Sequence, residues 1–312
     1  MTPAAIALAV DLGGTKAEAA LVDDTGALLP GSRARAATGR TATSDELAAS
    51  VRHVAESALA SLPAGARLVG AGVGSAGPIA LEHGLVSPLN LPAWRDFPLR
   101  GLVAETLPAG LPVTLRVDGQ AIALAEHWVG AGRGVGDLIG MIVSTGIGGG
   151  LVLGGRLLPG PTGNAGHIGH IEVGGSEERC DCGGIGCVEA VASGPRTVAW
   201  ARQRGFAGET GEELAAAHAA GDPVARAAVE RAGHAIGQAI ASATALVDVE
   251  LVAIGGGFSH VAPELFVHIN RAIARRARFG FVAKTRAVPS GLSGEGPLIG
   301  AAALVHRAEL LG

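Results

Sequence analysis

The chain predicts an α/β architecture. Short aliphatic runs alternate with longer stretches of helical periodicity, most of the runs close on a glycine-rich turn, and 50 of the 312 residues are glycine. Residues 4–10 read as a first strand, being apolar and ending in the turn DLGGTK at residues 11–16. A second strand follows over residues 17–22. Residues 44–62 carry an apolar stripe at helical spacing behind a cap at Ser44. A strand over residues 67–73 runs into the turn GSAGPI at residues 74–79. The strand at residues 113–117 ends on Asp118 and opens an alanine-rich helix to Val129. Residues 138–143 form a strand, STGIGGG at 144–150 a turn, and residues 151–153 a strand again. Two helical stretches cover residues 187–204 and 222–246. A strand at 251–254 leads through the glycine turn 255–257 into a helix reaching Ala277. The last helix begins near Pro297, since proline is tolerated in a first helical turn.

A chain of this length suggests about two domains. The division falls at Asp118. Residues 1–118 make a small α/β domain, onto which a C-terminal helix of residues 298–312 packs back, and residues 119–297 make a larger α/β domain holding the cysteine segment. Net charge is −4 and no basic run stands out, which argues against a nucleic-acid surface. The apolar opening is short and lacks a basic leader, so it reads as a strand and not as a signal peptide. No apolar run reaches the roughly 18 residues needed to cross a membrane. Thiols placed for metal binding fit a reducing compartment, so the expectation is a soluble, cytoplasmic protein.

All three cysteines, Cys180, Cys182 and Cys187, fall in the run CDCGGIGC, and His170 precedes the first by ten residues. Three thiolates and an imidazole are the donor set of a closed tetrahedral zinc site. Three buried thiols acting as small hydrophobes are the plain alternative, but a polar, glycine-rich setting argues against it. The odd count and tight spacing argue against disulfides.

Two of the turns suit an anion. A strand feeding a glycine-rich turn presents backbone N–H groups with no Cβ in the way. DLGGTK adds the Thr15 hydroxyl and the Lys16 ammonium, and STGIGGG repeats the device later in the chain. Each alone is weak evidence, because glycine turns mostly only turn. Neither has the spacing of a P-loop or of a dinucleotide fingerprint. Asp118, at a strand end before a helix, sits where a cleft opens in α/β folds. It serves either as a carboxylate base or as a helix cap, and the two roles are compatible. Asp11 serves either a ligand or its own turn.

In combination the motifs are far more specific. D-x-G-G-T-K, S-T-G-I-G-G-G, G-x-A-G-x-I-G-H and C-x-C-G-x-x-G-C-x-E, in that order from Asp11 to the last helix, resemble the ROK family (repressors, open reading frames and sugar kinases). The resemblance implies a two-domain actin-like, ribonuclease-H-like ATPase fold with a central cleft where ATP and a sugar meet. It implies ATP contacts at Asp11, Gly13, Gly14, Thr15, Lys16, Thr145, Gly146, Gly148, Gly255 and Gly256, with Asp11 handling Mg²⁺–ATP. Asp118 becomes the base that accepts the proton of a sugar 6-hydroxyl. Sugar contacts are implied at Gly77, Asn90, Asp118, His167, His170 and Glu189, and a structural Zn²⁺ at His170, Cys180, Cys182 and Cys187. Glu189 otherwise reads as an ordinary helix-start carboxylate. Asn90 belongs to SPLNLPAW at residues 87–94, which resembles the family's sugar loop, and Trp94 there reads as packing. A homodimer is also implied.

Two positions depart from the glucokinase pattern. Its G-E-I-G-H reads Gly166-His167-Ile168-Gly169-His170 here, and the asparagine usual before the aspartate base is Val117. G-H-I-G-H resembles bacterial N-acetylmannosamine kinases, although those keep the asparagine. The expectation is a kinase of a hexose or N-acylhexosamine, with a cyclitol or other modified sugar as an alternative. ATP and polyphosphate both stay open as donor. A non-catalytic sensor is the further alternative, which intact Asp11, Asp118 and both turns speak against. So is a transcriptional regulator, for whose helix-turn-helix the strand beginning at Ala4 leaves no room.

Overall fold

The computed structural model describes residues 4–276 and 278–312. In chain order the elements are β1 (Ala5–Leu12), β2 (Lys16–Asp23), β3 (Ala34–Ala37), α1 (Ser44–Leu59), β4 (Arg67–Ser75), β5 (Ile79–Ala80), β6 (Leu85–Val86), α2 (Leu99–Ala104), β7 (Val113–Val117) and α3 (Asp118–Val129). Then come β8 (Leu138–Val143), β9 (Ile147–Leu153), β10 (Arg156–Leu157), α4 (Val188–Ala192), α5 (Gly194–Arg202), α6 (Gly211–Ala219) and α7 (Pro223–Val247). The chain closes with β11 (Leu251–Gly255), α8 (Glu264–Ala274), β12 (Arg286–Pro289) and α9 (Gly296–His306).

One five-stranded sheet runs β3-β2-β1-β4-β7 and another β10-β9-β8-β11-β12. In the first, β2 is antiparallel to β1 and β3, while β1, β4 and β7 are parallel. The second repeats that plan, with β8, β9, β10, β11 and β12 in the places of β1, β2, β3, β4 and β7. Parallel strands need both faces covered. On one face of the first sheet α1 buries Leu47, Val51, Val54, Ala55 and Ala58. On the other, α9 sets Leu298, Ala301 and Ala302 against Ala7, Ala9, Ala20 and Val22. The approach is close enough that a Cβ on Gly72 of β4 would fall 1.7 Å from the Ala301 carbonyl oxygen, so only glycine admits the helix there. Alanine-rich α3 packs on α9 and also on β8 and β9, touching both sheets. In the second half α7 and α8 pack together over Ile236, Ile240, Leu265 and Ile269.

Several local expectations are corrected. The cap of α1 is Thr43, not Ser44, because Thr43 and Glu46 form a reciprocal capping box. The strand after STG begins at Ile147, so Gly148, Gly149 and Gly150 are strand residues paired with β8. Gly150 is glycine because α3 lies on it: a Cβ there would meet the Gln120 Cα at 2.5 Å, whereas one on Gly149 would meet Ile168 Cγ2 at 2.8 Å. The stretch 187–204 is two helices broken at Ser193, where Gly194 donates its N–H to the Ser144 carbonyl (2.8 Å). α6 is a further helix, beyond those expected, and starts at a second capping box made by Thr210 and Glu213. After the glycine turn a 3₁₀ turn (Gly257–His260) precedes α8, and the expected end at Ala277 lies outside the described residues. The last helix stops at His306 and does not continue to residue 312. Leu310 and Leu311 instead turn onto Leu138, Val152 and Leu157, with Leu311 bridging Leu157. No helix among the described residues is long and apolar enough to cross a membrane.

Candidate active site

A cleft of about 780 Å³ is lined by residues from both sheets. It takes in every residue expected to contact sugar or nucleotide, from Asp11 to Gly256, together with His170 and Cys180 of the metal set. Cys182 and Cys187 are not among its lining residues. Each sheet contributes the ends of its middle strands and a hairpin turn, so the repeat of one topology brings two glycine turns to the same space.

The first turn closes the β1–β2 hairpin. The Gly13 N–H is already committed to the Lys16 carbonyl (2.9 Å), and the Thr38 hydroxyl fixes the Gly13 carbonyl (2.9 Å). Gly14 and Thr15 N–H groups make no backbone bond among the described residues, which leaves them for a ligand. The Lys16 ammonium pairs with the buried carboxylate of Glu18, which Arg33 and Arg35 also reach. Those partners outweigh the burial that would raise Glu18 and hold it below the usual carboxylate range. In the second turn Ser144 N–H bonds the Gly146 carbonyl, and Glu189 accepts the Ile147 N–H (2.8 Å). Glu189 therefore both lines the cleft and holds the turn.

Between the turns lie two carboxyls. Asp11 is on β1, paired with Glu18 and Gly74 and not within a turn, and is only 8% exposed. Asp118 opens α3, but Val117 occupies the capping position and the Asp118 carboxylate accepts only its neighbour's N–H, that of Gly119, at 2.7 Å. A Cβ on Gly74 would sit 3.6 Å from Asp11 Oδ1 and 3.7 Å from the Asp118 Cα, so the two residues flank one glycine. Burial, then the charges of Asp118 and Glu18, push Asp11 up to about 7 despite Lys16 and Arg33. Burial, with Glu189 nearby, pushes Asp118 up to about 6 against the Gly119 bond. A divalent cation beside them would reverse the shift for whichever carboxylate it touched.

Next to Asp118 the wall changes character. Val117 lines the cleft with its methyls, and His167 stands opposite across Gly77. A Cβ on Gly77 would be 3.0 Å from His167 Cε1 and 3.6 Å from Val117 Cγ2. The buried Nε2 of His167 has no partner, and neither has Asn90 Oδ1. The Asn90 amide lies directly over Gly14 of the first turn. Both residues line the cleft, so a polyhydroxylated ligand there is the candidate partner for the two atoms. Trp94 is fully buried and stacks on Phe97 at 3.9 Å, as a packing residue.

His170, Cys180, Cys182 and Cys187 place one ligand atom each within 4.8 Å of the others, with His170 Nδ1 3.6 Å from Cys180 Sγ and Cys182 Sγ 3.6 Å from Cys187 Sγ. Donors around one ion at about 2.3 Å stand at about this spacing, so the set is compatible with structural zinc. Burial, with the neighbouring thiols, pushes the Cys187 thiol up to about 12, a situation a bound cation would reverse. At the mouth of the cleft Asp181 lies between Arg40 (3.7 Å) and Arg196 (3.8 Å), residues that no sequence motif singles out. Glu126 is likewise unexpected from the motifs, although it is the one carboxylate inside the apolar run AIALAEHWV.

A model of the ROK family matches residues 7–308. The glucokinase of Thermotoga maritima is 32% identical, over 96% of this chain and 97% of its own. The N-acetylmannosamine kinase of Escherichia coli O157:H7 is 36% identical, over 80% of this chain and 82% of its own. The structure of a ROK family glucokinase from Streptomyces griseus in complex with glucose and AMPPNP superposes with a TM-score of 0.83 at 30% identity, covering 97% of this chain and 99% of that one. The fold is accordingly the two-domain actin-like ATPase fold.

Proposed function

Because this chain belongs to the ROK family, we propose that it is an ATP-dependent sugar kinase transferring phosphate to the 6-hydroxyl of a hexose or N-acylhexosamine. One observation carries the reading: the Asp118 carboxylate and both glycine turns line a single cleft. Phosphoryl transfer asks the protein chiefly for positioning and for stabilisation of charge, with a carboxylate to accept the hydroxyl proton. The free N–H groups of Gly14 and Thr15 and the turn at Thr145 and Gly146 hold the phosphates. Gly148 lies on the strand just behind that turn, and Gly255 and Gly256 line the nucleoside end. Asp118, raised to about 6, is ionised at neutral pH yet basic enough to take the proton from the sugar. Mg²⁺ bound with the nucleotide supplies charge neutralisation, and Asp11 is the carboxylate we assign to it.

The sugar lies between Gly77, Asn90, His167, His170 and Glu189, and the unpaired atoms of Asn90 and His167 support that placement. We assign Zn²⁺ to His170, Cys180, Cys182 and Cys187, where it braces the loop whose His170 lines the cleft. The methyls of Val117 replace an amide beside Asp118, so we rank N-acyl or otherwise modified sugars above glucose. We divide the chain at residue 118, with α9 belonging to the first domain, and take the protein as a cytoplasmic homodimer on the family resemblance.

The test is incubation with Mg²⁺–ATP and a panel of hexoses, hexosamines, N-acylhexosamines and cyclitols, with ADP release as readout. Turnover with one class confirms the kinase and names its acceptor. Sugar binding without ADP release would return the protein to the sensor class.

A further inference from the structure

Glu126 stands about two helical turns beyond Asp118 on α3 and is fully buried. No cation pairs with it among the described residues. Its charge is met by neutral donors alone. One oxygen accepts the Ser290 hydroxyl; the other accepts the N–H groups of Ala131 (2.8 Å) and Gly291 (3.3 Å). A buried carboxylate stripped of such bonds is costly, so these three donors are held wherever the carboxylate is. The packing leaves no slack. A Cβ on Gly130 would lie 2.2 Å from Glu126 Oε2, and one on Gly291 would lie 2.8 Å from the Ala131 nitrogen.

On its other side Ser290 braces the turn after β11. Its N–H bonds the Ile254 carbonyl (2.9 Å), and its Cβ lies 3.1 Å from where a Cβ on Gly255 would be. Ser290, Gly294 and Pro297 then line the cleft together with Gly255 and Gly256. One helix thus carries Asp118 at its first residue and, about 12 Å along its axis, the carboxylate that fixes the opposite wall.

We infer that Glu126 is a positioning residue: it sets the wall formed by Ser290 and Gly255 relative to Asp118, and so sets the nucleotide relative to the acceptor hydroxyl. Glu126 does not line the cleft and touches no substrate. The inference rests on the kinase reading, which puts the nucleoside at that wall.

Glu126→Gln keeps the volume but turns an NH₂ toward at least one of the three donors. Calorimetric titration with Mg²⁺–AMPPNP, without sugar, should give a dissociation constant raised about 10-fold, the scale of one lost buried hydrogen bond. The affinity for the sugar should stay within about twofold, since no sugar contact changes. Should Glu126→Gln fail to fold, Gly130→Ala, which does not line the cleft and whose Cβ would press on Glu126 Oε2, displaces the carboxylate, and the same loss of nucleotide over sugar affinity is expected. Equal losses for nucleotide and sugar, or a lower melting temperature with unchanged nucleotide affinity, overturn the positioning role. If the wild type itself binds no Mg²⁺–AMPPNP, the kinase reading falls and the inference with it.

Discussion

A Cβ atom on Gly119, the second residue of α3, would lie 2.3 Å from the carbonyl oxygen of Gly149 in β9. The first turn of the helix that opens with Asp118 therefore rests on strand backbone with nothing between. Gly119→Ala must lift that turn, and we expect a destabilisation of about 1–3 kcal/mol by urea unfolding, with activity lost beyond what instability explains. Gly101→Ala is the control. It sits in α2 with no atom within 4 Å of the added methyl, so it should be neutral or slightly stabilising.

Asp118→Asn removes the proposed proton acceptor and leaves the shape. We expect kcat to fall about 10²–10⁴-fold with circular dichroism and metal content unchanged. In the wild type, kcat/KM should climb with pH below about 6 and level above it, because the folded carboxyl ionises at about 6. A flat profile from pH 5 to 7 would argue for a different base.

The same group sets a pH dependence of stability. Its folded pKa, about 6, lies above the ordinary 3.8. As pH rises between those values the unfolded chain releases its proton first and the native state loses ground. Asp11, at about 7, adds a loss of the same sign. Without ligand, Asp118→Asn should therefore be the more stable protein at pH 7, by no more than about 3 kcal/mol. That advantage should shrink toward pH 4, as read from denaturation midpoints at both values.

Cys182 is exposed and does not line the cleft, yet its sulfur completes the donor set. Cys182→Ser should lose zinc by plasma emission analysis and raise the KM for sugar more than that for nucleotide, since His170 lines the cleft. Full metal content in the variant would exclude Cys182 as a ligand.

Val117 holds the capping position of α3, which asparagine fills at least as well. Val117→Asn should fold normally and raise kcat/KM for glucose relative to N-acyl sugars by about 10-fold, the scale of one matched polar contact.

The chemistry of this protein was easier to read in its sequence than the architecture. The cysteine cluster announces itself because a rare residue type is confined to eight residues, and Asp118 and the glycine turns because they recur as motifs in a fixed order. The doubling of the sheet does not: β3 and β10 have four and two residues, too short to show alternation. Gly148, Gly149 and Gly150 misled for a definite reason. At Gly149 and Gly150 the glycine reports tertiary contacts, Ile168 against the one and α3 against the other, whereas read locally it says turn. The pair Arg40–Asp181 depends on segments far apart in the chain, and no local pattern marks it; Glu126 is marked locally by its apolar surroundings, but its partners Ser290 and Gly291 are remote in sequence.

The packing of α9 on β1 and β4 also has a consequence for biosynthesis. The alanine face of the first sheet, Ala7, Ala9 and Ala20, is covered by residues of the last helix, so during translation the amino-terminal half must leave the ribosome with that face bare. Its completion waits for the synthesis of α9, and a chain cut short before Leu298 would present the face to chaperones and proteases.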